Sequence, residues 1–370
     1  MSVTVAEIIK VMEELAPSFL AEEWDNIGLQ VGDYNQTVHR LLVSLDTDER
    51  VIDEAVHKKV DLIISHHPLF FHPVKNLLYH EPLGKAVRKL IKHEISLFAA
   101  HTNLDIAPGG INDFLAEILD LREVEVLAET KKDKLYKLVV FVPRDFLDQV
   151  RDAICEAGGG HIGNYSHCTF SVLGEGTFLP LAGTKPFIGA AGKMEKTPEY
   201  RLETIVPEYR LNSVIQAMLK SHPYEEAAFD IYPTELNGVK YGLGRIGSLA
   251  QPVKLADLAK KIKEIFNGNG IRVIGDPEMV ISKVAVLGGG GMSCFQAAQK
   301  KGAQCFITGD VKFHEGQHAL AMGIAVIDAG HYDSEVQFMS VLADNLKNKL
   351  KGNGVQVLTS QINTNPWNIY

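Results

Sequence analysis

The sequence predicts an α/β fold in which two α/β segments form one core and a smaller α+β domain is inserted between them. Apolar runs without polar alternation, such as 60–64, alternate with amphipathic helical stretches, as in a parallel sheet covered by helices. Charged residues cluster around 122–135, and an internal repeat follows them. The α/β pattern resumes after Gly238. We therefore expect three segments: the first half of the core at 1–127, the inserted domain at 128–238 and the second half of the core at 239–370.

The first segment begins with a strand–helix–strand pattern. We predict these elements in order: a helix opened by the capping box Thr4–Glu7 and ended by Pro17, a turn and short strand at 24–32, a buried strand at 41–46, a helix at 49–59 and a strand at 60–64. Strand, helix and strand in succession are the βαβ unit of a parallel sheet. Asp25 and Asn26 could serve a function, but turn formation explains these residue types more simply.

Two adjacent histidines, His66 and His67, end the apolar strand. Pro68 cannot donate a ladder hydrogen bond, so both histidines lie at the carboxyl end of the strand, where open α/β sheets bind their ligands. Neighbouring side chains in a strand point to opposite sides, which suits two metal ions side by side better than one. The alternative is a pair of solvated loop histidines.

The same plan repeats with a helix at 82–93 and a strand at 95–100. His101 and Asp105 follow this strand, before another helix at 113–119. Because parallel strands end at the same edge of a sheet, we expect Asp105 near the histidine pair.

The inserted segment contains two similar stretches, 141–147 and 205–211, offset by 64 residues. In both, a strand runs into Val-Pro at the start of a helix, and the apolar positions of the two helices correspond. Each copy continues into another strand-like stretch, at 169–173 and at 227–232. This doubled βαβ pattern predicts a ferredoxin-like fold. The glycine-rich stretch 174–192 is expected to be a long loop, either a lid or simply flexible.

The second half of the core ends in a helix with an unusual first turn. We predict these elements in order: a helix at 255–266, strands at 283–287, 304–310 and 324–328, and a long helix with Phe338, Met339, Leu342 and Leu346 on its apolar face. Glu335 and His331 continue that apolar stripe towards the start of the helix. A histidine and a carboxylate on a core-facing stripe are costly unless something pairs with them. The alternative is a half-exposed first turn, with Glu335 favourable near the positive end of the helix dipole.

The candidate metal site consists of five side chains: His66, His67, Asp105, His331 and Glu335. If the three preceding strands are parallel neighbours, all five reach one edge of one sheet. Imidazoles and carboxylates without a thiolate suit Zn²⁺ in the first place, and Mn²⁺, Fe²⁺ or Co²⁺ as alternatives. Five ligands exceed the three of a single catalytic zinc, and they match two ions that share a carboxylate and a water. Asp105 is the expected bridging ligand, because it lies between the other two pairs in the chain.

Further polar residues lie near these ligands in the sequence. His101 is the candidate catalytic residue, as a general acid or as a group that supports a ligand, with a plain loop histidine as the alternative. Asp46 and Asp310 end equivalent strands and could orient the imidazoles. The glycine run 288–291 with Ser293 could hold a phosphate on its N–H groups or form a tight turn, since it lacks the spacing and the lysine of a P-loop.

Composition argues against several classes of protein. The formal net charge of −9, from 37 Lys+Arg against 46 Asp+Glu, makes nucleic acid a poor candidate for a partner. No apolar run is long enough to cross a membrane, and the first residues lack the pattern of a signal peptide. The four cysteines form no Cys-x-x-Cys motif, as expected for reduced thiols. We therefore expect a cytoplasmic protein.

Several motifs together resemble those of a known family. They are Trp24–Gly28, Ser65–Pro68, His101–Asp105, Thr308–Asp310 with Lys312–His314, and Gly330–Glu335. The chain resembles the dinuclear-metal-centre, hexameric family (Ngg-interacting-factor-three-like), whose members often carry the name GTP cyclohydrolase I type 2 homologue. The resemblance implies metal-ligand roles for the five candidate residues and a toroidal homohexamer with the metal pairs facing an inner cavity. The inserted domain, whose His222–Glu226 motif we interpret as structural, is similar to the PII/CutA-type signalling domains of longer members.

We therefore expect a dinuclear metal-dependent hydrolase that acts on a nucleotide or another phosphorylated small molecule. The resemblance suggests a concrete form, the opening of a GTP ring with release of formate. The alternative is a non-catalytic metal-binding regulatory or scaffold protein whose PII-like insert senses a small molecule. Binding to DNA, a third possibility, fits the acidic charge poorly.

Overall fold

The computed structural model describes residues 3–266 and 270–368. The chain forms two compact units. Met1–Lys131 and Tyr241–Tyr370 form the first, called the core unit here, and Lys132–Lys240 form the second, called the insert unit. The predicted mixed α/β class is confirmed. All the candidate site residues lie in the core unit.

Strands and helices alternate through most of the chain. The strands are β1 (Val3–Thr4), β2 (Gly28–Val31), β3 (Thr37–Val38), β4 (Arg40–Ser44), β5 (Leu62–Ser65), β6 (Ser96–Ala99), β7 (Arg122–Pro143), β8 (Thr169–Phe178), β9 (Glu195–Pro207), β10 (Phe229–Lys254), β11 (Arg272–Ile274), β12 (Val280–Gly290), β13 (Cys305–Gly309), β14 (Ala325–Asp328) and β15 (Gln356–Thr359). The helices are α1 (Val5–Leu15), α2 (Glu49–His57), α3 (Pro82–Lys92), α4 (Thr102–Ile106), α5 (Ile111–Ile118), α6 (Leu147–Glu156), α7 (Leu211–Ser221), α8 (Leu255–Ile265), α9 (Phe295–Lys300), α10 (Phe313–Ala321), α11 (His331–Glu335) and α12 (Phe338–Lys349). Within the described residues, no helix has the length and apolar character needed to cross a bilayer.

One sheet of the core unit carries the first group of candidate ligands. Its strand order is β15-β4-β5-β6-β2, with β2 antiparallel at the edge and the other strands parallel. Ser44, Ser65 and Ala99 lie level with one another in β4, β5 and β6. The residues that follow β5 and β6 therefore emerge at the same edge of this sheet.

The second group of candidate ligands follows a strand of a different sheet. Strands β12, β13 and β14 are parallel neighbours, with β11 antiparallel to β14 at the edge and the second half of β10 antiparallel to β12. The condition for a single shared sheet edge, that the three preceding strands are parallel neighbours, is therefore not met, and His331 and Glu335 follow a strand of a different sheet from the one that carries the other three ligands. A buried apolar run identifies a strand, but it does not say which sheet the strand joins.

A common hydrophobic core connects the two sheets of the core unit. It includes Ile64 of β5, Ile327 of β14 and Phe338 of α12, all almost completely buried. Full burial of such a side chain contributes about 1.5–3 kcal/mol. This packing holds together the two sheets whose carboxyl edges carry the candidate ligands.

The insert unit has the element order strand, helix, strand, strand, helix, strand. It consists of the end of β7, then α6, β8, β9 and α7, and the start of β10. Strand β9 is antiparallel to both β7 and β8. As the repeat predicts, Pro143 and Pro207 end their strands and are each followed by a 3₁₀ turn and a helix. Val150, Ile154, Val214 and Met218 of the two helices pack in the core of this unit.

Strand β8 is longer than the sequence suggests. It continues to Phe178 instead of ending at 173, in unbroken antiparallel register with β9. The predicted loop at 174–192 is therefore wrong in its first part, and the loop of the structure is 179–194. Gly176 is needed inside the strand, because a Cβ atom there would collide with the carboxylate of Glu199.

Two neighbouring residues of α3 provide a test of the core. Leu90 is 0% exposed and Ile91 is 63% exposed. We expect Leu90→Ala to lower the free energy of unfolding by about 2–5 kcal/mol, because it leaves a cavity in the core. Ile91→Ala should change it by less than about 0.5 kcal/mol. Urea unfolding followed by circular dichroism measures both, and equal losses would contradict the orientation of this helix.

Candidate metal centre

The structure brings together all six side chains that the sequence analysis selected. The ring centroids of His66 and His67 lie 4.9 Å apart, those of His66 and His101 5.1 Å, and those of His67 and His331 5.2 Å. Asp105 reaches this cluster from α4, directly after β6, and Glu335 reaches it from α11. The polar ends of two sheets thus form one site.

The donor atoms of the described residues form three groups. His66, His67 and His101 form one of them, and the other two share Glu335. His66, Asp105 and Glu335 form one group, and His67, His331 and Glu335 form the other, with all ligand atoms of a group within 4.8 Å of one another. Glu335 Oε2 lies 3.2 Å from His67 Nε2 and 3.3 Å from His331 Nε2, and its Oε1 lies 3.9 Å from His66 Nε2. The geometry therefore favours Glu335, not Asp105, as the bridging carboxylate. Asp105 lies between the two pairs of ligands in the sequence, but this does not place it between them in space.

Three donor atoms of this cluster are buried and have no hydrogen-bond partner among the described residues. They are His66 Nε2, Asp105 Oδ1 and Glu335 Oε2. Asp105 is 8% exposed and Glu335 is 3% exposed. Leaving buried polar atoms without partners costs free energy, and the cost is largest for charged groups. Because these atoms come from imidazole and carboxylate groups that face one another, the site fits a divalent metal ion.

The other ring nitrogen of each histidine is held by an acceptor. His67 Nδ1 lies 2.7 Å from Asp46 Oδ1, and His331 Nδ1 lies 2.7 Å from Asp310 Oδ2. The predicted orienting contacts of these two aspartates are confirmed. His66 Nδ1 lies 2.9 Å from the Ala100 carbonyl oxygen. Because each partner can only accept, Nδ1 carries the proton and Nε2 is left free to bind a metal.

The imidazoles differ strongly in their affinity for a proton. Burial lowers the pKa of His66 to about 3, against the opposing charge of Glu335. Burial also disfavours protonation of His67, but contacts with Asp46 and Glu335 raise its pKa to about 10. The pKa of His331 rises to about 9 despite burial, mainly because of Glu335. Considering protein groups alone, the nearby carboxylates Glu335, Asp46 and Asp310 favour the protonated forms of His67 and His331.

The two carboxyl groups are shifted in opposite directions. Burial raises the pKa of Asp105 well above its usual range, and the charge of Glu335 adds to this effect. Burial also acts on Glu335, but His331 and His67 hold its pKa well below its usual range. A divalent cation favours the charged form of both carboxylates and displaces protons from the imidazoles. Metal binding here is therefore coupled to proton release.

Asp25, for which the sequence analysis preferred a role in turn formation, contacts the candidate catalytic residue His101. Its side chain is completely buried, and its Oδ1 lies 2.9 Å from His101 Nδ1. Its Oδ2 accepts hydrogen bonds from the backbone N–H and the hydroxyl of Thr102. Burial opposes ionisation, but the bonds from His101 and Thr102 lower the pKa of Asp25 to about 2. Asp25 therefore positions His101, and only the Trp24–Gly28 motif pointed to this region of the chain.

The glycine run 288–291 makes room for the metal centre and is not free to bind phosphate. Three of its N–H groups donate to buried side chains: Gly288 to Asn112 Oδ1, Gly289 to Ser334 Oγ and Gly291 to Thr308 Oγ1. Gly289 has a φ of +65°, and a Cβ atom there would collide with the Glu335 carboxylate and press on His331. The small size of Gly289 is thus required by the site itself.

We expect the metal content of the purified protein to depend on the cluster. Glu335→Gln removes the shared charge and should lower bound divalent metal from about two ions per chain to well below one, because both donor groups lose a ligand. His331→Ala should remove one of the two ions. Elemental analysis of proteins purified without chelators measures this. His314→Ala is the matched control, since His314 is exposed and contacts Gln317 outside the cluster. Unchanged metal content in Glu335→Gln would contradict the assignment.

A pair of glycine variants tests the space around Glu335. Gly289 and Gly302 both have a positive φ, but a Cβ atom at Gly302 meets nothing within 4 Å. Alanine at either position should lower the free energy of unfolding by about 1–2 kcal/mol because of the backbone conformation. Only Gly289→Ala should also lose metal, as measured by Zn²⁺ titration of the folded proteins. Equal Zn²⁺ affinity in the two variants would show that Gly289 does not limit the site.

Known proteins are similar to this chain along almost its whole length. The family model of Duf34/NIF3 (NGG1p interacting factor 3) matches residues 3–366. A GTP cyclohydrolase 1 type 2 homolog of Bacillus subtilis (strain 168) is 46% identical over 372 residues, which cover 99% of this chain and 98% of that protein.

Two solved structures are similar along the whole chain. A Bacillus cereus protein related to NIF3 has a TM-score of 0.93 and 42% sequence identity, with 100% of both chains covered. The Staphylococcus aureus protein SA1388 has a TM-score of 0.76 and 31% identity, with 100% of this chain and 99% of that chain covered. The present chain belongs to the Duf34/NIF3 family.

Proposed function

We propose that this protein is a hydrolase that uses two divalent metal ions and acts on a nucleotide or another phosphorylated small molecule. The observation that carries the proposal is the position of Glu335, whose carboxylate belongs to two of the three donor groups. His66 and Asp105 complete one group, and His67 and His331 complete the other. Two donor groups joined by one carboxylate suit two-metal hydrolysis. Zn²⁺ is the proposed ion, and Mn²⁺, Fe²⁺ and Co²⁺ suit the same donors.

The protein's own part in the chemistry is to hold the donors in place. When bound, two such ions lower the pKa of water and stabilise negative charge that develops on the substrate. Asp46 and Asp310 hold the rings of His67 and His331 through Nδ1. Hydrogen bonds of this kind fix the ring orientation and make the ligand nitrogen more basic.

His101 is the proposed general acid. Its Nδ1 is held by Asp25 at 2.9 Å, which leaves Nε2 for the side of His66 and His67. From there Nε2 can pass a proton to a leaving group, while the bond from Nδ1 to Asp25 fixes the orientation of the ring. The exposed rings of Trp24 and Phe71 pack edge-on against His101 and restrict its movement.

A cavity of about 610 Å³ beside His331 is the proposed substrate site. Its volume lies in the range of small-molecule sites. Trp367 and Tyr332 offer aromatic surface in its wall, and Arg272 lies in the same wall, paired with Asp328. The name of the Bacillus subtilis relative, GTP cyclohydrolase 1 type 2 homolog, supports GTP as the substrate. Opening of the imidazole ring would consume one water molecule, and release of formate would consume another.

The insert unit supports a second candidate function, that of a non-catalytic metal-binding regulator or scaffold. Its strand order β10-β7-β9-β8, with β9 antiparallel to both neighbours, matches a ferredoxin-like fold. On this proposal the insert is a PII/CutA-like sensor of a small molecule, and its own cavity of about 490 Å³ is the observation in favour.

An assay of formate release from GTP distinguishes the proposed hydrolase from the proposed regulator. We expect the Zn²⁺-loaded protein to release formate, and Asp105→Asn to lose at least about a hundredfold in kcat, because even the outer partners of metal ligands contribute about 10–100-fold. Asp344→Asn is the matched control, since Asp344 is exposed on α12 and pairs with Lys347. Wild-type activity in Asp105→Asn would rule out the dinuclear mechanism. A metal-loaded protein that turns over no nucleotide in a broad panel would favour the regulator.

A further inference from the structure

The insert unit contains a cavity of about 490 Å³ that none of the metal chemistry uses. Four aromatic rings line it, those of Phe141, Phe178, Phe187 and Tyr224. Three carboxylate side chains line it as well, Glu199, Glu225 and Glu226. Among the described residues of its wall there is no lysine, arginine or histidine. The cavity therefore combines aromatic surface with uncompensated negative charge.

Glu199 is the buried acid of this cavity. It is 8% exposed, and its Oε1 accepts a hydrogen bond of 2.8 Å from the Tyr224 hydroxyl. Burial, together with this bond, raises the pKa of Tyr224, so the phenol keeps its proton and remains a donor. No cationic side chain in the described part of the chain lies within ion-pair distance of Glu199. A buried carboxylate without an opposite charge is costly, and a cation in the cavity would remove that cost.

The aromatic rings are arranged around the same space. The ring centroid of Tyr224 lies 5.9 Å from that of Phe178 and 6.2 Å from that of Phe187. Phe187 is in turn held edge-on by Phe146 at 5.5 Å. The faces of such rings carry negative charge and attract organic cations.

One ring of the cavity already contacts a cation of the protein. The guanidinium of Arg201 lies 5.8 Å from the ring centroid of Phe141. Arg201 donates to Glu203 at 2.7 Å and is therefore engaged outside the cavity wall. The arrangement shows that a cation is compatible with this aromatic environment.

The loop 179–194 forms a fixed wall of the cavity. The backbone N–H of Lys185 donates to Glu225 Oε2 at 3.0 Å, and that of Gly192 donates to the Pro180 carbonyl at 2.8 Å. Gly176 in β8 leaves the space that the Glu199 carboxylate occupies. The loop and the strand thus build the cavity as part of the fold, and it is not a gap beneath a free lid.

We propose that this cavity binds a small organic ammonium ion. The aromatic rings attract the cation and its alkyl groups, and Glu199 supplies the opposite charge. The volume lies in the range of small-molecule sites. This wall disfavours phosphorylated ligands, because it carries three carboxylates and none of its described residues is a cation. The site is separate from the metal centre and does not require its activity.

Calorimetric titration of the full-length protein at physiological salt tests the proposal. The probes are choline, its uncharged carbon isostere 3,3-dimethylbutan-1-ol, and spermidine. We expect saturable binding of choline or spermidine and at least about tenfold weaker binding of the isostere, because the isostere has the shape of choline without its charge. If spermidine binds more tightly than choline, its N–H groups donate hydrogen bonds to the Glu199 carboxylate, and the proposal is supported.

Three variants locate the site. Glu199→Gln keeps the size of the side chain and should weaken binding by about tenfold or more through loss of the charge. Phe187→Leu should weaken it by about two- to fivefold. Glu175→Gln is the matched control, because Glu175 is exposed in the same unit and pairs with Lys196. Thermal unfolding of each variant verifies that it is folded.

The proposal is overturned by any of three results. The first is that neither choline nor spermidine binds. The second is that the uncharged isostere binds as tightly as choline. The third is that Glu175→Gln weakens binding as much as Glu199→Gln does. The metal content of Glu199→Gln should equal that of the wild type. Measuring metal content alongside ligand binding therefore distinguishes a failure of the insert-site proposal from a failure of the metal-centre proposal.

Discussion

The buried carboxylate of Glu335 is the constraint on which the metal centre depends. A carboxylate that is 3% exposed needs positive charge around it, and here imidazoles from two different sheets provide the contacts. His66 and His67 can reach it only if the end of β5 faces α11, whose last residue is Glu335. The common hydrophobic core of the two sheets meets that requirement. Packing and electrostatics therefore support the same arrangement in the core unit.

Local pattern was enough to predict which side chains form the candidate site. His66, His67 and Asp105 follow buried strands, and a ligand site at strand ends is a general property of α/β folds. The spacing of His331 and Glu335 also predicted that they share a helical face. The helix itself differs from the prediction, because α11 ends at Glu335 and a separate helix, α12, starts at Phe338.

What the sequence did not reveal depends on contacts between distant parts of the chain. The sheet that β14 joins, the bridging position of Glu335 and the bond between Asp25 and His101 all involve residues far apart in sequence. Gly289 is similar, since its small size matters only once Glu335 is placed beside it. In the insert unit, the pairing of β8 with β9 overrides the tendency of Gly174 and Gly176 to form loops. Tertiary context decided each of these features.

The donors of the metal centre come from both ends of the chain, with the whole insert unit between them. During translation, His66, His67 and Asp105 leave the ribosome first, and the insert unit is synthesised before His331 and Glu335 exist. The nascent first half therefore carries an incomplete set of ligands and lacks the second sheet that would bury it. The two donor groups that contain Glu335 therefore arise only after the insert unit has been synthesised, whereas the group of His66, His67 and His101 needs only residues that precede the insert unit. Synthesis as far as Glu335 is thus a condition for forming the two donor groups that share this carboxylate.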